Sequence, residues 1–191
     1  MKSILVLIIG ICVLTGSACT RAQSPAADLS TGATIKDIMD SMLDPSADFL
    51  FESVVEIADA NGITHKAPRT NDEWKEVRRR ALVLLEAPNL LIMEGRKVAK
   101  PGERAENPEV ELQPEQIQAL MDGDRPEFVR RTLKLQEAAA MALEAIDAKD
   151  KDALFRGLEN IDKACESCHL HYWYPNDKRA QEAAKRDGIV D

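Results

Sequence analysis

The sequence predicts an all-α fold, an antiparallel four-helix bundle, on three observations. Hydrophobic residues make up 45% of the chain but aromatics only 4%, while Ala, Leu and Glu are plentiful, a mixture that favours helix over sheet. Apolar residues recur at alternating three- and four-residue steps in four separate stretches, the spacing of one helix face. Between those stretches stand helix breakers: Asn61-Gly62, Lys100-Pro101-Gly102, the joint Lys149-Asp150-Lys151, and Pro175.

The first 18 residues read as a secretory signal. Lys2 precedes an apolar run from Ile4 to Leu14, then small residues lead to Cys19. The run is too short to span a bilayer, which takes ~20 residues. Thr15-Gly16-Ser17-Ala18-Cys19 resembles a bacterial lipoprotein box, which makes Cys19 the candidate acylated residue and membrane anchor. The alternative is ordinary cleavage after Ala18 or Ala22, leaving Cys19 a free thiol. Residues 19–33 are small and polar and read as a flexible tether. Cys12 lies inside the signal, so only Cys165 and Cys168 remain for the folded domain, and no disulfide framework is implied.

The domain is expected over 34–176. Thr34, with Asp37 three residues on, reads as a helix cap, and helix A is expected over 35–60, ending at Asn61-Gly62. Met39, Leu43, Ser46, Leu50, Val54 and Ile57 form its unbroken stripe; a competing stripe through Ile35, Ile38 and Met42 breaks at Glu52. Pro45 is expected to bend or split this helix. Residues 61–70 are expected to be a loop. Helix B is expected over 72–98 with a kink at Pro88, and a short helix from Pro114 to Met121. Helix C is expected over 126–148 and helix D over 151–172, antiparallel neighbours across their short joint. Small residues on helix C permit close approach. Residues 177–191 form a charged tail, with room for one more short helix.

Cys165-Glu166-Ser167-Cys168-His169 is C-x-x-C-H, the pattern that attaches c-type haem. Residues three and four apart on a helix share a face. Two thiols can therefore reach two vinyl groups on one porphyrin edge, while the His169 imidazole reaches the iron. A redox dithiol ordinarily opens a helix beside a sheet, and this pair sits near a helix end. A zinc site needs two further ligands, and neither His65 nor His171 has the spacing to supply them. His171 lies ~200° around the helix from His169, so it cannot take the opposite side of the same iron.

A helical chain with C-x-x-C-H near its C-terminus resembles the class II c-type cytochromes, cytochrome c' and its low-spin relatives. The resemblance rests on the ending Ala164-Cys165-Glu166-Ser167-Cys168-His169-Leu170-His171-Tyr172-Trp173-Tyr174-Pro175 and the opening Thr34-Ile35-Lys36-Asp37-Ile38-Met39. Trp173 stands where cytochrome c' commonly has Arg. The resemblance implies one covalent haem c on Cys165 and Cys168, His169 as proximal iron ligand, and Tyr172 packed on the haem. It implies that the first helix faces the other side of the iron. Met39 is then the candidate sixth ligand, with Met42 as the alternative, and an iron with no sixth protein ligand as the third possibility. Ordinary core packing accounts for a Met on a helix stripe equally well, and is the expectation for Met93, Met121 and Met141.

The implied function is periplasmic electron transfer with unidentified redox partner proteins, an electron carrier rather than an enzyme; a peroxidase is the weaker third reading, since the sequence offers no clear distal His–Arg pair. The alternative is a five-coordinate site binding nitric oxide or carbon monoxide. A formal net charge of -8 argues against nucleic-acid binding. A homodimer through helices A and B, seen in many relatives, is a further expectation from the resemblance.

Overall fold

A computed structural model describes residues 29–59 and 62–189. The signal, Cys19 and most of the tether lie outside them. Residues 31–191 form one compact unit, and it is mostly helical. Among the described residues no helix is long and apolar enough to cross a membrane.

Thr34 caps the first helix through a reciprocal box. Its hydroxyl accepts from the Asp37 N–H at 3.0 Å, and the Asp37 carboxylate accepts from the Thr34 N–H at 3.0 Å. The helix then runs in three pieces: α1 (Ile35–Ile38), a π turn (Met39–Leu43), and α2 (Asp44–Ser53). The π turn is closed by the Asp44 N–H on the Met39 carbonyl, one residue more than an α turn. This corrects the single stripe expected from Met39 onward. The buried series is Ile35, Ile38, Leu43, Ala47, Leu50, with a five-residue step between Ile38 and Leu43. The inserted residue switches burial from one stripe to the other. It also precedes Pro45, which has no N–H to give the Ser41 carbonyl an α-type bond.

The helix ends at Ser53, not near residue 60. Val54 takes an extended backbone (φ -132, ψ 106), and β1 (Val55–Asp59) pairs antiparallel with β2 (Gly62–Lys66). Residues expected as a helix end and a loop thus form a hairpin, the departure from a purely helical chain. The physical reasons are the adjacent β-branched Val54 and Val55, and Gly62 at φ 122 beside the turn.

Helix α3 (Asn71–Leu91) begins with a second capping box, Thr70 with Glu73, and runs through Pro88. It stops seven residues before the expected end. Gly95 at φ 78 redirects the chain, and the buried Arg96 caps the last turn, its Nε donating to the Leu90 carbonyl at 2.5 Å. Another Arg96 nitrogen donates to the Ala33 carbonyl at 2.5 Å, tying this turn to the start of α1. Residues 97–113 run as a strap: the Ile35 and Lys36 N–H groups donate to the Lys97 and Val98 carbonyls, and the Leu112 N–H donates to the Trp173 carbonyl at 2.8 Å.

Helices α4 (Pro114–Gly123), α5 (Arg125–Ala148) and α6 (Lys151–Tyr172) match their expected spans to within about two residues. Lys149, left-handed at φ 53, turns the chain between α5 and α6. α6 packs along α5, α5 along α3, and α3 on α2, which also touches α6. The tail carries α7 (Lys178–Arg186), capped by Asp177 and held by Gln181 donating to the Leu170 carbonyl at 3.1 Å.

Candidate functional site

The last two turns of α6 carry Cys165, Cys168 and His169, and the helix period brings all three toward one recess. The recess has two limbs that share Met39, Asp44 and His169. The narrow limb, about 40 Å3, is apolar: Leu43, Ala47, Leu84, Leu91 and Leu135 face both cysteines there. The wider limb, about 240 Å3, lies beyond His169, walled by the strap, Trp173 and Tyr174, with Lys36 and Arg104 among its lining residues.

The two thiols are free. Burial pushes Cys165 up to about 12 and Cys168 up to about 11, so both stay as neutral S–H at neutral pH. Burial also pushes the His169 imidazole below the ordinary histidine range, against the pull of Glu166 and Asp44. The ring is therefore neutral at neutral pH and keeps a lone pair for a metal. Among the described residues its nitrogens make no hydrogen bond. The Trp173 and Tyr174 rings stand 6.5 and 6.0 Å from it, centroid to centroid. Tyr174 is fixed by donating to Glu166 at 2.6 Å, and the His169 carbonyl accepts from both the Trp173 and Tyr174 N–H groups.

The structure thus brings Cys165, Cys168, His169 and Met39 to one recess. Met42 does not line it; the π turn separates the two methionines. Tyr172 does not line the recess either. It is buried behind it, edge-on to Phe128 with ring centroids 5.6 Å apart, and its hydroxyl has no partner. His171 is exposed, on the other side of α6 from His169. His65 pairs by its backbone with Glu56 in the hairpin, and its side chain lies outside the description. Met121 is buried as expected and Met93 partly so, but Met141 is 54% exposed, so core packing does not account for it.

Three polar residues that sequence reasoning passed over line the narrow limb: Asp44, Arg131 and Thr132. Thr132 is 3% exposed and its hydroxyl has no partner. Arg131 donates to the Ser167 carbonyl at 2.9 Å and to its hydroxyl at 2.7 Å, between the two cysteines. Only the π turn could have flagged Asp44. Nothing in the local pattern of α5 separates Arg131 from the neighbouring arginines.

The residues fit a covalently held haem. Two free thiols, a neutral imidazole and a thioether share an apolar recess, and a buried hydroxyl there lacks a partner. Among the described residues no three His, Cys, Asp or Glu side chains converge to hold a metal ion by themselves. Set against protein-family models, curated proteins and solved structures, the chain finds no match in any of the three.

Proposed function

We propose that this protein is an exported monohaem c-type cytochrome of the class II kind, an antiparallel four-helix bundle working in electron transfer. The observation that carries the reading is the meeting of Cys165, Cys168 and His169 from α6 with Met39 from the first helix at one recess. Cys165 and Cys168 hold the haem c as thioethers. His169 is the proximal ligand and Met39 the sixth. The haem supplies one-electron redox chemistry, and the chain supplies the setting.

His169 is suited to its role because burial keeps it neutral and the Trp173 and Tyr174 rings flank it. Leu84, Leu91 and Leu135 keep water from the narrow limb, and a dry, apolar site favours the less charged reduced iron. Arg104, beside the wider limb, is a cation suited to the haem carboxylates, whereas Lys36 there is paired with Glu106 at 2.6 Å and Asp40 at 3.3 Å. Redox partner proteins, a periplasmic location, the Cys19 lipid anchor and a homodimer belong to the same proposal.

Expression with a cytochrome maturation system tests it. The expected product is red protein whose colour survives acid–acetone extraction and whose reduced spectrum is low-spin and unmoved by carbon monoxide. Colourless protein, or pigment that washes off, overturns the haem. A high-spin spectrum that shifts with carbon monoxide moves the function to gas binding at a five-coordinate iron. Met39→Ala is expected to abolish the weak near-infrared sulfur-to-iron band; an unchanged band excludes Met39 as ligand.

A further inference from the structure

Arg131 is the one cation of α5 that reaches the narrow limb of the recess. Its side chain is only 16% exposed, and that of its partner Glu127 is 22% exposed. The Arg131 Nε donates to Glu127 Oε1 at 2.7 Å, while Nη1 makes its two bonds to Ser167. One guanidinium therefore joins the start of α5 to Ser167, which stands between the two cysteines. Glu127 also receives Arg130, at 2.5 and 2.6 Å, but that arginine is 50% exposed.

We propose that Arg131 and Glu127 form an electrostatic pair that sets the reduction potential of the iron at this site, Arg131 raising it and Glu127 lowering it. The proposal rests on the haem reading above. Arg131 is a positioning residue: it fixes Ser167 and holds a fixed charge beside Cys168, and it touches no reacting atom. The physics is direct. Reduction adds one electron, so a nearby cation stabilises the reduced state and a nearby carboxylate the oxidised one. The coupling is strong where water is excluded and weak where it is not. Charge-assisted hydrogen bonds on both sides of the guanidinium hold it in place, so the field has a fixed origin.

The test is a spectroelectrochemical titration of the matured, haem-bearing protein and four variants. Arg131→Gln is expected to lower the midpoint potential and Glu127→Gln to raise it. Arg131→Lys keeps the charge and should stay near wild type. Arg130→Gln removes an equal charge from a more solvated place, so its shift should be smaller than that of Arg131→Gln. Opposite shifts in the first pair are the signature, because a structural disturbance alone would move both variants the same way. Equal or like-signed shifts overturn the proposal, as does an Arg130→Gln effect as large as that of Arg131→Gln. If Arg131→Gln does not mature, Glu127→Gln decides: an unmoved or lowered potential overturns the pair. Colourless wild-type protein defeats the haem reading itself; red protein with unmoved potentials defeats this inference alone.

Discussion

Gly157 shows how one residue sets the distance between two helices. A Cβ built there would lie 3.0 Å from the Ala142 Cα and 3.2 Å from its Cβ, where α5 and α6 meet. Backbone cannot yield as a flexible side chain can. Gly157→Val is therefore expected to lower stability by ~1–3 kcal/mol, although glycine is a poor helix former. Thermal unfolding of the variant checks this; an unchanged or higher melting temperature would show that α6 can move away at no cost. Glu127 offers a second prediction at this scale. Arg130 first, then Arg131, hold its carboxyl at about 2, against 4.5 in a free glutamate. A folded pKa below the unfolded one adds stability that is complete above the unfolded value and lost as pH falls toward the folded one. Wild-type protein should lose stability between about pH 5 and about pH 2, and Glu127→Gln should lose less over that window in urea titrations. Parallel curves for the two would mean the ion pair contributes nothing, as many exposed pairs do.

Among the elements, the hairpin is the one most separable from the rest. Val55 pairs with Lys66, so the chain leaves and re-enters at one place, and the sheet has only two strands. Isolated two-stranded hairpins are marginal in water, so this one adds little to the helical core. Replacing residues 56–65 by a short Gly/Ser turn should leave the far-UV helical signal intact and shift stability by less than ~1 kcal/mol. A large loss would show that the hairpin braces the helices. The same segment shows where sequence reading stopped. Asn61-Gly62 is a strong hairpin signal as well as a helix stop, and the helical stripe through Val54 and Ile57 made the helix stop look sufficient. The π turn was hidden for a related reason. The sequence offers an unbroken stripe through Met39 and a competing one through Ile35 that breaks at Glu52, whereas the chain uses part of each, joined by the five-residue step. By contrast α5 and α6 were legible almost to the residue, because Asp124 and Asp150 cap them and their apolar period never breaks.

For the whole molecule, the site was legible where chemistry is local and illegible where it depends on assembly. Cys165, Cys168 and His169 declare themselves by spacing within one helix. Arg131, Thr132 and the strap that walls the wider limb come from segments distant in sequence, and only packing brings them there. Charge is the remaining property of the whole that the function would feel. The formal net charge is -8, and Asp40, Asp44 and Asp48 follow the first helix past the recess, with Asp40 and Asp44 lining it. A field of one sign gathers oppositely charged partners and raises their encounter rate roughly 10- to 1,000-fold, an effect screened beyond ~10 Å at 0.1 M salt. On the proposed haem reading, oxidation of the reduced protein by a small cationic metal complex should therefore slow as salt is added. An anionic oxidant of similar driving force should speed up over the same range. Stopped-flow rates across ionic strength decide it: if both reagents respond alike, the face by which electrons leave carries no net field, and if the cationic reagent speeds up while the anionic one slows, cations dominate that face.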